Sequence, residues 1–382
     1  MHFYILLALI FIFFWGVFPN TSQNASAQVE VEEGDFELEI GGRLTTYYNY
    51  RFYEDHVEDR DKNRFRQRDG RIEFEGEYGD FEFELQYDFA APFGRDLDPI
   101  DHPLKDAYLV YDGWDDIVEV QFGFTKTPYS HTSLVSFRRI PFNQRAEFAR
   151  NEAFTRRDIG VTLKNEHWDD RFKWWAGTYT GRGVMGLDGD NDESGTLEYI
   201  GRAELAYPEE YQQREVDLEY TETPGMKVGL NARHAEKGET IDLNYGLFTI
   251  DGTKITYGGD LHFRYRGFSA QLEAHQMHVE PRDTMRMQGF DTDFFRAGGY
   301  LAQLNYVIKP LNTFVAARYD EFNPNDLIFG NTKKNLSGAI GYMIDGHRTY
   351  IKAHYWHRLD QEFTGRPWQP DQFRIAFVHE FF

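Results

Sequence analysis

Seven cations crowd into one stretch of an otherwise acidic chain. From Lys126 to Arg157 the sequence reads KTPYSHTSLVSFRRIPFNQRAEFARNEAFTRR. It carries Lys126, Arg138, Arg139, Arg145, Arg150, Arg156 and Arg157 against only Glu147 and Glu152. A guanidinium group is always charged, and its planar fork matches the oxygens of a carboxylate or phosphate. Several such groups on one constricting loop would lower the barrier for a small anion. Release also requires that binding stay weak, which favours several modest sites over one tight one. The competing reading is that these arginines pair with carboxylates elsewhere and merely hold the stretch in place.

Other residues with chemical potential lead less far. His275/His278 and His354/His357 are spaced like metal pairs. On strands, a three-residue spacing sends the two rings to opposite faces, so no zinc site is expected. Asp188, Asp190, Asp192 and Glu193 lie in the run LDGDNDESG. Carboxylates at that density could hold calcium. The glycine and terminal glutamate of a helix–loop–helix calcium site are misplaced, however, and a solvated acidic loop is the expectation. The chain has no loop that would cradle a nucleotide phosphate. No metal or cofactor is expected.

Composition narrows the class. The formal net charge is -22, aromatic residues make up 17%, and there is no cysteine. The acidic balance argues against nucleic acid, whose phosphates demand cations. A mean hydropathy of -0.63 excludes a bundle of membrane helices. It does not exclude a membrane barrel, whose inner wall is polar. Residues 4–18 form an unbroken apolar run, and a polar stretch then ends in Ala25-Ser26-Ala27. That pattern predicts a signal peptide over 1–27, leaving 28–382 as a single domain.

The elements that must position the basic stretch are strands. Phe36, Leu38, Ile40, Leu44, Tyr48, Tyr50 and Phe52 share one parity, and Glu37, Glu39, Arg43, Thr45, Asn49 and Arg51 share the other. Period-two alternation makes a strand greasy on one side and wet on the other. The pattern recurs, and it predicts about sixteen strands, at 36–53, 66–79, 80–90, 104–113, 116–126, 158–165, 171–181, 196–207, 226–236, 254–265, 268–279, 297–308, 312–322, 335–344, 348–357 and 372–382. Connections alternate long and short, the asymmetry of an outer-membrane barrel. The exception is 208–225, on the short side yet long, and it reads as an extended turn. The chain closes on FRIAFVHEFF, an amphipathic strand with aromatic residues at its end.

With GRIEFEGEYGDFEFELQYDFA, GFTKTPYS, WWAGTYTGRG, VAARYDEFNP and the closing GAIGYMIDGHRTYIKAHYWHR in view, the chain resembles the phosphate-selective porin family of the O and P type. The resemblance implies a sixteen-stranded outer-membrane barrel, often trimeric, whose third outer loop folds inward. In its phosphate-specific members, arginines and lysines line the path of the anion. Here the third long loop is 126–157, and inward-parity Arg43, Arg318 and Lys352 could extend its cationic track. The expectation is an all-β transmembrane barrel in outer-membrane lipid, not an enzyme, that passes small anions such as phosphate and forms a homotrimer. Glu73, Glu75, Glu77, Glu82 and Glu84 on the same wall favour an alternative, a general and weakly selective pore. A barrel hydrolase or adhesin is the other alternative. His131 and Ser133 have the spacing of the outer-membrane phospholipases, but no asparagine is placed to orient the histidine, and nucleophile, base and orienter are all required.

Overall fold

The computed structural model describes residues 29–33, 36–52, 63–90, 102–114, 117–150, 157–183, 194–238, 241–242, 248–249, 251–282, 293–359 and 370–381. The expected signal peptide lies outside them. Sixteen antiparallel strands form the wall. They are β1 (Phe36–Phe52), β2 (Asn63–Tyr78), β3 (Phe81–Asp88), β4 (Leu104–Tyr111), β5 (Glu119–Lys126), β6 (Arg157–His167), β7 (Phe172–Tyr179) and β8 (Glu198–Tyr207), then β9 (Gly225–Lys237), β10 (Gly252–Tyr265), β11 (Phe268–Pro281), β12 (Phe295–Ile308), β13 (Thr313–Asn323), β14 (Lys333–Asp345), β15 (Thr349–Arg358) and β16 (Asp371–Glu380). Each pairs with the next, and β16 pairs back onto β1 from Asp371↔Phe52 to Glu380↔Arg43. The sheet therefore closes, which removes the unpaired edges that would otherwise invite aggregation. Two small pairings lie outside the wall: Val29–Glu33 with the start of β1, and Ile241–Asp242 with Phe248–Thr249.

The alternation read from the sequence is the alternation of the two faces. Leu44, Ile72, Leu85, Leu109, Phe122, Leu205, Leu230, Leu272, Leu304 and Ile340 are exposed on the outside. Arg43, Asp69, Glu73, Asp106, Lys227, Glu273, Arg318 and Lys352 are buried on the other face. In water that pattern would be inverted. In a bilayer it is the stable one, because the hydrocarbon takes the apolar side and the lumen takes the charges. Exposed Tyr78, Phe81, Trp114, Tyr207, Phe268, Tyr306 and Tyr342 stand beside the short connections, the level at which amphipathic rings settle at a membrane surface.

The short turns have the required chemistry. Arg266 and Gly267 both adopt positive φ, at 47° and 81°, as the two central residues of a tight hairpin must. A bulge interrupts the ladder between β1 and β2. Opposite Thr45 and Thr46 of β1, the partner register in β2 jumps from Asp69 to Gln67, leaving Arg68 as the extra residue. A bulge of this kind reverses strand parity. Arg64, Arg66 and Arg68 before it and Asp69, Arg71 and Glu73 after it are consequently all less exposed than Asn63, Phe65 and Gln67.

Residues 208–224 contain no strand, in keeping with an extended turn, but they do not lie outside the wall as a turn would. Tyr211, Glu215, Val216 and Asp217 are buried, and Val216 and Leu218 pack against Val307 and Phe314 of the inner face.

Candidate functional site

The basic stretch leaves the wall at Lys126 and rejoins it at Arg157, two residues that face each other across β5 and β6. Between them the chain is polar at its start and apolar further on. A four-residue helix, α1 (His131–Leu134), is capped by Ser130, whose hydroxyl accepts from the Ser133 amide at 3.0 Å. Tyr129, Ala146, Phe148 and Ala149 then pack with Ile200, Met277, Val279, Phe295, Ala297, Leu301 and Phe322. Gly299 makes room for this seat, because a Cβ there would lie 2.6 Å from the Cβ of Phe148. Burial of an aromatic ring and its neighbours contributes about 1.5–3 kcal/mol per large side chain.

Polar clasps complete the attachment, and they reach six strands. The Thr132 amide donates to Glu273 of β11 at 3.2 Å. The Glu147 amide donates to Asp320 of β13 at 3.0 Å, and the Glu147 carboxylate takes Lys333 of β14 at 2.7 Å. Lys352 of β15 donates to the carbonyls of Ile140 and Phe142, both at 3.0 Å. Arg374 of β16 reaches the Asn143 carbonyl at 3.4 Å, and Arg43 of β1 reaches the Ser136 hydroxyl at 3.2 Å.

The structure divides the residues nominated from sequence. Arg145 donates to the carbonyls of Thr132 and Val135 in its own segment, and Arg318 bonds Asp320 and the Gln144 carbonyl. Lys126 donates to the Leu134 carbonyl at 3.2 Å. These groups, with Lys352, hold the segment's shape. Arg157 is locked to Asp106 by two bonds of 3.1 and 2.7 Å. Arg138 pairs with Glu380. Among the described residues, Arg139 forms no ion pair. Burial lowers the Arg139 pKa, and repulsion from Arg214 adds to the effect. Burial, then repulsion from Arg139 and Arg43, brings Arg138 down to about 10, so it stays charged at neutral pH. The Arg150 side chain and Arg156 lie outside the described residues.

A cavity of about 570 Å³ separates the segment from the wall strands β1–β5. Leu134, Ser136, Phe137, Arg138, Arg139 and Arg145 line one side, and Asp69, Arg71, Glu73, Glu75, Glu84 and Asp106 line the other. Its whole lining holds nine basic and six acidic side chains, so cations outnumber anions although the chain as a whole is acidic. Arg68, Arg71 and Arg214 also belong to this lining, and attention to the basic stretch alone does not single them out. The signal for the first lies in the alternating Arg64-x-Arg66-x-Arg68, which continues the strand back past its expected start at 66. Arg68 sits over the Phe137 ring at 3.7 Å.

The Arg157–Asp106 pair gives a first expected result. Arg157→Gln leaves a buried carboxylate without its fork, which costs about 3–5 kcal/mol. Chemical denaturation of the barrel should show an earlier midpoint, and Asp106→Asn in the same chain should recover most of the loss. Equal midpoints for the single variant and the parent would mean that Lys126 and Arg71 suffice to compensate Asp106.

The histidines do not assemble a catalytic or zinc pair at the spacings noted in the sequence. His275 is buried against Glu273 at 2.8 Å while His278 is outside with Glu280, and His354 is buried while His357 bonds Asp371 outside. His131 and Ser133 turn apart, to Lys227 at 3.0 Å and Ser130 at 2.8 Å. His131, Asp260 and His262 do approach one another, with potential ligand atoms within 4.8 Å. Lys227 on His131 and Arg202 on Asp260 at 2.6 Å fill that spot with positive charge, which opposes a metal cation. Burial, followed by His262 and Lys227, holds the His131 imidazole well below its usual range. The group acts as a neutral latch for the start of the segment.

A family model described as "Phosphate-selective porin O and P" matches residues 38–357. No curated protein sequence matches the chain. Among solved structures, OmpT of Vibrio cholerae in its trimer form is similar at 10% identity, with a TM-score of 0.56, over 91% of this chain and 100% of that one. The outer membrane channel DcaP of Acinetobacter baumannii is similar at 12% identity and a TM-score of 0.53, over 90% and 97%. Salmonella typhi OmpF, in complex with daunomycin, is similar at 11% identity and a TM-score of 0.59, over 92% and 100%.

Proposed function

We propose, for a chain that belongs to the phosphate-selective porin O and P family and is an outer-membrane porin, that its permeant solutes are small hydrophilic anions such as phosphate. The family points to a channel rather than an enzyme. In this reading the segment 126–157 is the inward loop that narrows the bore. Anions diffuse passively between it and β1–β5. The observation that carries the reading is the cavity lining, where basic groups exceed acidic ones nine to six and Arg139 has no acid partner among the described residues. Guanidinium groups without a carboxylate are the ones free to exchange a passing oxyanion.

A planar bilayer under a salt gradient tests this. The expected reversal potential favours chloride over potassium, and added phosphate should reduce the chloride current. Cation preference removes the reading. A reversal potential near zero without phosphate block selects a general pore, which Glu73, Glu75 and Glu84 across the cavity from Arg138 and Arg139 would support through a transverse field.

We also propose a homotrimer, because OmpT of Vibrio cholerae has a trimer form and the family resemblance points the same way. Light scattering in detergent at the mass of one chain would remove it. Residues 1–27 are proposed as a cleaved leader, and amino-terminal sequencing of the outer-membrane protein checks that boundary.

A further inference from the structure

On the inner wall the sign of charge changes along the strands. Strand β2 shows this by itself. Arg64, Arg66 and Arg68 face inward on the long-loop side of the bulge, and Glu73, Glu75 and Glu77 face inward toward the short turn at Gly79-Asp80. Between them Arg71 is held by Asp69 and Asp88, at 2.8 and 3.1 Å. The neighbouring strands follow the same order. β1 begins with Glu37 and Glu39 and carries Arg43 and Arg51 further along. β3 begins with Glu82 and Glu84. Arg374 of β16 faces the bore beside Asn49 of β1, at 2.7 Å.

Register stacks the acids into two rows. Glu37, Glu77 and Glu82 stand directly opposite one another across β1, β2 and β3, and so do Glu39, Glu75 and Glu84. Directly opposed like charges destabilise a sheet. The wet side of a strand needs only polar residues, and serine, threonine or glutamine would supply them without that cost. The rows therefore call for a reason beyond the fold. Nearby bases do not cancel them. Arg138, Arg139 and Arg214 line the cavity with Glu75 and Glu84, but Arg138 is taken by Glu380 and Arg214 by Glu219. Lys164 of β6 is taken by Glu119 at 2.6 Å. Of these four bases, only Arg139 is left to face the six carboxylates. Arg68 and Glu75 lie roughly 20 Å apart along β2 at the rise of a strand. The screening length near 0.1 M salt is about 10 Å, so each zone keeps a field of its own sign.

We infer that the bore is bipolar. The arginines of β1, β2 and β16 gather mobile anions in its outer part, and the two glutamate rows of β1–β3 gather mobile cations at its periplasmic exit. Current then depends on direction. With the periplasmic side positive, anions move inward from the outer zone and cations move outward from the exit, and both enrich the changeover between the zones. With that side negative, both are drawn away and the changeover is depleted. The glutamate rows also limit the anion preference that the arginines set up. The inference rests on the reading that ions pass between the segment and β1–β5, and not on which ion is preferred.

The full-length porin in planar bilayers tests this, with potassium chloride at about 0.1 M on both sides. At equal and opposite voltages the current is expected to be roughly twofold larger with the short-turn side positive, and the ratio should approach one near 1 M salt, where screening shrinks to about 3 Å. Asp80→Cys gives the chain its one thiol, in the turn between β2 and β3, and labelling by a bulky maleimide from one chamber reports which way the channel lies. Glu37→Gln, Glu77→Gln and Glu82→Gln together remove one row. The ratio should then fall toward one while anion preference rises, and relief of repulsion favours the folded barrel. A parent that conducts equally in both directions, or better with the short-turn side negative, overturns the bipolar bore alone, and so does a ratio unchanged in the triple variant. A parent without conductance overturns the channel reading along with it.

Discussion

Arg139→Glu is expected to lower the anion-to-cation permeability ratio by at least about tenfold near 0.1 M salt. Arg139 faces the cavity and has no ion pair among the described residues, so its field is not cancelled locally. A unit charge about 4 Å from a passing ion is worth roughly 1 kcal/mol in water and about 4 kcal/mol at an effective dielectric of 20. Reversing the sign doubles the effect, and each 1.4 kcal/mol or so is a factor of about ten. Near 1 M salt the screening length falls to about 3 Å and most of the difference should vanish. Lys352→Met is the contrasting case, because that ammonium is committed to the carbonyls of Ile140 and Phe142. A reversal potential unmoved by Arg139→Glu would leave selectivity to other residues of the lining.

Phe148→Ala should unseat the basic segment. The ring is fully buried in the largest apolar cluster, with Met277, Phe295 and Phe322. Truncating such a ring typically costs about 3–5 kcal/mol. Spread over a local release equilibrium, that raises the detached population by roughly a hundredfold or more. The measurement is single-channel conductance, which should rise and become noisier. The wall should keep its thermal stability, since no ladder hydrogen bond involves this side chain. Gly299→Val attacks the same seat from the other side. Conductance and noise equal to the parent would mean that the polar clasps hold the segment without the apolar seat.

The wall is legible in the sequence because a barrel strand must alternate, and the membrane enforces that alternation on every strand. All sixteen strands lie within three residues of their expected bounds. The basic stretch is legible as a cluster, but its division of labour is not. Arg139 and Arg145 are the same residue type a few positions apart. Both line the cavity, and only folding shows that Arg145 is committed to the carbonyls of Thr132 and Val135 while Arg139 forms no ion pair among the described residues. Carbonyl partners carry no sequence signature. The apolar seat is hidden for a related reason: Ile200, Met277 and Phe322 lie on the inward parity, which alternation alone assigns to water. The link at 208–224 stands out by its length, yet its inward course depends on contacts with Val307 and Phe314, far away in the chain.

The bulge at Arg68 bears on which insertions and deletions this wall tolerates. Where a strand carries no bulge, losing one residue would exchange the oily and wet sides of everything beyond it, so changes in length there must come in pairs. Opposite Thr45 and Thr46 a single residue is already supernumerary. Deleting Arg68 would bring Gln67 directly against Asp69 and restore an uninterrupted ladder. Arg64 and Arg66 on one side and Asp69 and Arg71 on the other would all keep pointing into the bore. A cation can thus be gained or lost at this height by a single codon, with no lipid-facing side chain displaced, and charge in the bore can drift here independently of the membrane's demands on the strand.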